Sequence, residues 1–168
     1  LSSASILEGV KQQSNARRER AEKIAEKLQR FGFDDCLAGA LSFASGPAQI
    51  GRPHFAQYLV KIGAVSNIQQ AFKRYLGAGK AGDIKDQWAH PETVIGWIRD
   101  AGGVAVLAHP TKYKLTRSKL IELLADFKAA GGEAMEVISG SQVPSVTRDM
   151  PRLCQDMGFD ASCGSDFH

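Results

Sequence analysis

Val104-Ala105-Val106-Leu107-Ala108 is a short, uninterrupted apolar run set between Gly102-Gly103 and His109-Pro110. A run this short fits a buried parallel strand, since a helix would need roughly ten residues or more. Downstream, a helical period returns over Ser118 to Ala130 and stops at Gly131-Gly132. A second strand is expected around Ala134-Met135-Glu136-Val137-Ile138, a second helix from Val143 to Met157, and a third short strand near Asp160-Ala161-Ser162-Cys163. This β-α-β-α-β order predicts an α/β fold with parallel strands joined by right-handed crossovers.

Upstream of this run the chain reads as helical almost throughout. Ile6, Val10, Ala21, Ile24, Ala25, Leu28 and Phe31 are expected largely on one face of a long helix that Gly32 ends. Asp34 is the expected cap of a short helix through Leu37 and Leu41. Pro53 suits the first turn of a helix reaching Ile62, with Phe55, Leu59 and Ile62 facing inward. Ser66 is the expected cap of a helix from Asn67 to Leu76, and Gly77-Ala78-Gly79-Lys80-Ala81-Gly82 a loop. Pro91 opens a last helix through Val94, Trp97 and Ile98. The expected division is a helical sub-domain over 1–102 and a βαβαβ portion over 103–168.

Composition narrows the class. The 168 residues, 43% of them hydrophobic, suffice for a core. No apolar run approaches the roughly 20 residues of a membrane span, and residues 1–5 lack a basic leader, so a soluble, cytoplasmic protein without a membrane partner is expected. Cys36, Cys154 and Cys163 are scattered, which argues against a disulfide framework or a zinc knot and for buried thiols at Cys36 and Cys154. A net charge of +3 is too mild to imply a nucleic-acid coat. The charge is uneven, however: Lys11, Arg17, Arg18, Arg20, Lys23, Lys27 and Arg30 outweigh Glu19, Glu22 and Glu26. A local anion site is therefore open.

In parallel α/β architectures the chemistry sits at the carboxyl ends of the strands. The first expected strand delivers His109, with Lys112 and Tyr113 close behind; the second contains Glu136 and exits into Ser139-Gly140; the third delivers Asp166 and His168. Alternating Asp-x-His on an extended backbone would put both side chains on one side, where they could reach a divalent ion. An O/N donor set suits Zn, Mn or Fe without selecting zinc strongly. A single histidine is more often a hydrogen-bonded core residue; three such groups at strand ends favour the metal.

Gly51-Arg52-Pro53-His54 is a second candidate. Arg52 beside a helix N-terminus opened by Pro53 makes a natural phosphate site. His54 would donate to the phosphate or lie on the helix surface. Arg17, Arg18 and Arg20 are either a solvated face or a substrate contact, and Lys80 is equally open. His90 precedes a helix and reads as structural.

Taken together, Gly102-Gly103-Val104-Ala105-Val106-Leu107-Ala108-His109-Pro110, Met135-Glu136-Val137 and Gly164-Ser165-Asp166-Phe167-His168 resemble the later motifs of the PHP (polymerase and histidinol phosphatase) family of metal-dependent phosphoesterases. Arg17-Arg18-Glu19-Arg20-Ala21, Gly51-Arg52-Pro53-His54-Phe55-Ala56, Tyr75-Leu76-Gly77 and Trp97-Ile98 resemble the helical insertion of its TrpH/YciV-type branch. The resemblance covers essentially the whole chain. It implies part of a distorted (β/α)7 barrel carrying a helical insertion sub-domain, with a divalent metal cluster at the strand ends. Manganese is the metal implied first, with zinc, iron or magnesium as alternatives. It further implies His109, Asp166 and His168 as metal ligands and catalytic residues, and Arg17, Arg18, Arg20, Arg52, Pro53, His54 and Lys80 as substrate contacts. The implied reaction is hydrolysis of nucleoside 3′,5′-bisphosphates, or trimming of short RNA from its 5′ end, by a metal-activated water. No obligate protein partner is implied.

The family's opening His-x-His and the ligands that follow it are absent, and the first histidine here is His54. The chain therefore reads as an internal fragment holding part of the ligand set, inactive by itself. A histidinol-phosphatase-like enzyme is the nearest alternative. From another class, residues 1–102 could form a non-catalytic helical module that binds nucleic acid, although this leaves His109, Asp166 and His168 unexplained.

Overall fold

The computed structural model describes residues 3–85 and 88–166. The chain divides into two compact units, Leu1–Gly9 with Ala89–His168, and Val10–Trp88. The division thus falls upstream of the expected 102/103 boundary. The reason is packing: helix α5 (Pro91–Asp100) buries Ile95 in the same core as Leu124, Met135 and Leu153.

The unit Val10–Trp88 is helical. It contains most of α1 (Ala4–Gln29), then α2 (Cys36–Leu41), α3 (Arg52–Lys61) and α4 (Ile68–Ala71). Its core joins Ala21, Ile24 and Leu28 of α1 to Ile50, Phe55, Leu59 and Leu76. Burying a Leu, Ile or Phe side chain stabilises by about 1.5–3 kcal/mol, so this stripe is what holds α1 in place. The expected face holds from Ala21 to Leu28 but not at its ends. Val10 is exposed, and Phe31 lies in a turn beyond the last helical residue, where the helical period no longer applies. Ile62, expected inside, follows the last residue of α3 and is exposed as well.

Two caps also differ from expectation. Asp35, not Asp34, precedes α2, in a left-handed conformation with no side-chain cap. Asn67, not Ser66, caps α4: its Oδ1 accepts the Gln70 N–H at 2.9 Å, while the Ser66 N–H donates to Gln70 Oε1 at 3.1 Å. Replacing Asn67 by Ala is expected to cost about 1 kcal/mol, measured as a lower urea midpoint of the full-length protein. After Ala71 the helix widens into a π turn over Phe72–Leu76, closed by the Gly77 N–H on Phe72 O at 2.8 Å. That wide turn delivers the Leu76 carbonyl to the site described below.

The second unit contains a three-stranded parallel sheet in the order β1 (Val106–Leu107), β2 (Ala134–Ser139), β3 (Asp160–Gly164). Helices α6 (Arg117–Ala129) and α7 (Pro144–Asp156) make the two crossovers. The register pairs Val106 with Ala134, and Ala134 with Asp160, with an irregularity between Glu136 and Ile138. Only β2, paired on both sides, is buried along most of its length. β1 is shorter than its five-residue apolar run, and Val104 and Val106 are exposed. Cys36 and Cys154 are buried free thiols and Cys163 is exposed. Among the described residues no helix is long and apolar enough to cross a membrane.

Candidate functional site

Past β1 the chain turns at His109, whose backbone is left-handed at φ 35° and ψ 52°. A residue with a Cβ avoids this region at a cost of order 1–2 kcal/mol, so something must hold it. Glu136 does: its Oε2 accepts the His109 N–H at 2.6 Å. Tyr113 adds a second tie, its hydroxyl donating to Ala108 O at 2.8 Å and its ring meeting the imidazole edge-on at 5.8 Å. The His109 N–H, then the Ser139 hydroxyl, hold the Glu136 carboxyl below the usual carboxylate range although desolvation opposes them. Burial, reinforced by Glu136, pushes the Tyr113 phenol upward. The sequence marks Glu136 as a polar strand residue within the Met135-Glu136-Val137 motif but gives it no role; the role comes from a contact 27 residues away.

The ends of β2 and β3 meet each other through backbone. Gly140 has φ +62°, and its N–H donates to Gly164 O at 2.8 Å. A Cβ there would stand 2.7 Å from Ser165 O, and a Cβ on Gly164 would stand 2.6 Å from Glu136 Oε1. Both glycines let backbone and carboxylate approach where side chains would collide. Asp166 lies two residues past β3 in a left-handed conformation at φ 51°, and its carboxylate contacts the Lys112 ammonium. The extended backbone on which the Asp-x-His expectation rests is not found at Asp166, since extended pairing ends at Gly164. His168 lies outside the described residues.

Whether these groups suit a metal turns on His109. Among the described residues, its buried Nδ1 has no hydrogen-bond partner. A buried ring nitrogen without a partner is rare and costly, and a cation is one partner that would relieve it. Asp166 offers carboxylate oxygen and already attracts a positive charge. Among the described residues no three His, Cys, Asp or Glu side chains converge; His109 and Asp166 each offer one donor of the O/N type. As far as they go, they fit a divalent ion of O/N preference.

In the helical unit, Arg17, Arg20 and Arg52 come together from α1 and α3. Arg17 and Arg20 place their guanidinium groups 5.3 and 5.6 Å from the Trp88 ring centroid, and Arg20 Nε donates to Ile84 O at 3.0 Å. Arg52 Nη1 donates to Leu76 O at 3.1 Å and reaches Asp83 Oδ1 at 3.4 Å. Burial, then Arg52, lower the Arg20 pKa, with Arg17 adding to the effect and Asp83 opposing it. Positive charge is thus in surplus here, which is the condition for taking an anion.

The remaining expected contacts separate from this cluster. Pro53 sits in the first turn of α3, and His54 Nδ1 accepts the Gly51 N–H at 3.0 Å, so that nitrogen is committed to capping. Arg18, one residue further round α1, lines a separate small cavity with Ser14, Asn15, Pro47 and Ala48. Lys80 lines a neighbouring groove with Asp83 and Lys85. His90 precedes α5 without a side-chain cap.

Asp83, unmarked in the sequence reading, ties the cluster. Its Oδ2 accepts the Gly79 N–H at 2.8 Å; that bond first, then Lys85, Arg52 and Arg20, depress its pKa against desolvation. A depressed folded-state pKa gives stability that is present above the unfolded value and lost as pH falls through the folded one. The full-length Asp83→Asn protein is expected to melt below wild type at neutral pH. The gap should close below about pH 4, the ordinary carboxylate range, as thermal scans across pH would show.

No family model matches the chain. The chain is 40% identical over 163 residues to the 3′,5′-nucleoside bisphosphate phosphatase of Chromobacterium violaceum, covering 97% of this chain and 57% of that protein. It is 41% identical over 159 residues to a 5′-3′ exoribonuclease of Haemophilus influenzae, with 95% and 57% covered. A solved structure described as an amidohydrolase from Chromobacterium violaceum, with bound sulfate and no metal, superimposes with a TM-score of 0.86 at 39% identity, covering 99% of this chain and 59% of that one. A structure described as a metal-dependent phosphoesterase from Bifidobacterium adolescentis gives 0.71 at 26% identity, with 92% and 55% covered. The chain is thus similar, over nearly its whole length, to phosphoester hydrolases of which it spans somewhat over half, 57% of each of the first two.

Proposed function

We propose that this chain is part of a metal-dependent phosphoesterase of the PHP type, acting on nucleoside 3′,5′-bisphosphates or on the 5′ end of short RNA. The observation that carries the reading is the similarity, at 40% identity over 97% of the chain, to a bisphosphate phosphatase. The unpartnered Nδ1 of His109 and the surplus of arginine charge support it independently. On this reading the strand unit is a portion of a distorted (β/α)7 barrel and Val10–Trp88 is its helical insertion.

His109, Asp166 and His168 would hold a divalent ion, manganese first among candidates. When bound, such an ion supplies Lewis acidity and lowers the pKa of a water. The protein's own residues do the rest. Glu136, anchored by Ser139, fixes the His109 backbone and so the direction of the imidazole. Lys112 sits against Asp166, a place from which an ammonium can steer a phosphate. Within the helical unit, Arg17, Arg20 and Arg52 would form a site for a phosphate, contributing charge neutralisation.

The test is to incubate the full-length protein with a nucleoside 3′,5′-bisphosphate and with a 5′-phosphorylated short RNA, with manganese or with chelator. Inorganic phosphate from the first and mononucleotides from the second, both abolished by chelator, are expected. Release that is unaffected by chelator would refute the metal-dependent reading.

A further inference from the structure

Beside the arginine cluster lies a groove of about 600 Å³ lined by Lys27, Arg30, Phe31, Lys80, Asp83 and Lys85. We propose that this groove of the helical unit binds single-stranded RNA, through its phosphates and a stacked base. The proposal rests on the nucleotide-directed reading above and extends it to the polymer.

Among the described residues, four cations line the groove against one carboxylate. That carboxylate, Asp83, is committed to the Gly79 N–H at 2.8 Å and to Arg52 at 3.4 Å. Among the described residues none of Lys27, Arg30, Lys80 and Lys85 forms an ion pair. The groove is therefore electropositive and its side chains are available to an anion. A bisphosphate does not need them, because Arg17, Arg20 and Arg52 already gather positive charge elsewhere in this unit.

Phe31 makes RNA a better occupant than an acidic protein or a lipid surface. It is 54% exposed at the groove wall among the cations. Its ring is braced edge-on by Tyr75 at 5.5 Å, and the Arg74 guanidinium covers Tyr75 at 5.3 Å. A fixed, exposed aromatic ring flanked by lysine and arginine is how proteins hold single strands without reading sequence: bases stack while phosphates are neutralised. A membrane-binding surface would instead present several apolar residues on one plane.

Fluorescence anisotropy on the full-length protein tests this, with chelator present to stop turnover and a 5′-phosphorylated RNA of about ten nucleotides as probe. The initial rate on a nucleoside 3′,5′-bisphosphate with manganese is measured in parallel. Lys27, Arg30 and Phe31 are exposed, so changing them leaves the core untouched. The double variant Lys27→Glu, Arg30→Glu is expected to weaken RNA binding at least about tenfold and to flatten its salt dependence. Phe31→Ala is expected to weaken it about tenfold with the salt slope unchanged. Both variants should turn over the bisphosphate within about twofold of wild type, since the changed side chains are surface groups whose loss rarely disturbs the fold. Wild-type RNA affinity in both variants, with the bisphosphate still hydrolysed, would overturn the groove assignment alone. Anionic phosphatidylglycerol vesicles that bind through these residues while RNA does not would overturn it in favour of a lipid surface. A wild-type protein that hydrolyses neither substrate refutes the underlying reaction instead, and with it the use assigned to the groove.

Discussion

The Asp166→Asn variant of the full-length protein is expected to release phosphate from a nucleoside 3′,5′-bisphosphate at least about 100-fold more slowly than wild type. Residues that merely orient metal ligands already cost roughly 10- to 100-fold when lost, and a ligand should cost more. The substitution is chosen for its backbone. Asp166 is left-handed at φ 51°, a conformation that Asn tolerates and Ala does not. The change therefore removes charge and keeps shape. It also leaves the Lys112 ammonium without its carboxylate, so a divalent ion would meet an uncompensated positive charge. A thermal midpoint close to wild type, read beside the rate, assigns the loss to chemistry.

Phe55→Ala is the largest expected effect on folding. Phe55 is fully buried in the core of the helical unit, in the cluster that includes Ile24, Leu28 and Leu59. Emptying that space is expected to cost about 3–5 kcal/mol, through lost transfer energy and a cavity that cannot fully collapse. That is a large fraction of the 5–15 kcal/mol that typically separates a folded domain from its unfolded chain. It would also release the N-terminal end of α3 from its position, and with it Arg52. Urea unfolding followed by far-ultraviolet circular dichroism of the full-length protein measures the cost; a change below about 1 kcal/mol would contradict the core as described.

The elements that carry strong periodicity were legible from the residues alone. Ala134–Ser139 stands where its apolar run predicts, because β2 is paired on both sides and hydrophobic burial is what such a run encodes. Helices α6 and α7 likewise follow their periods and glycine stops. Val104-Ala105-Val106-Leu107-Ala108 gave only two strand residues, since an apolar run does not fix how far backbone pairing extends. The caps slipped by one residue at Asp35 and Asn67, where the choice between adjacent polar residues is settled by backbone geometry.

The candidate site was legible as residue types and not as geometry. Ala108-His109-Pro110 marks a strand end, yet nothing in it says that Glu136 will take the His109 N–H or that Nδ1 will be left without a partner. Arg17, Arg18 and Arg20 read as one basic segment; helical rotation keeps Arg17 and Arg20 on Trp88 and sends Arg18 to another surface. Arg52 meets Asp83 across 31 residues, a pairing that tertiary folding decides. The likeness to the Chromobacterium violaceum bisphosphate phosphatase, 40% over 163 residues, agrees with the activity that the motif resemblance implies.

His109 and its strand-end neighbours would join fold to reaction by holding a divalent ion. Calorimetric titration of manganese into metal-free full-length protein, wild type and His109→Gln, tests it most directly. Wild type is expected to bind manganese, and the glutamine variant to lose at least about tenfold in affinity or to bind fewer equivalents, with its fold intact. Equal affinity and stoichiometry in the two proteins would contradict the assignment of His109 to the metal.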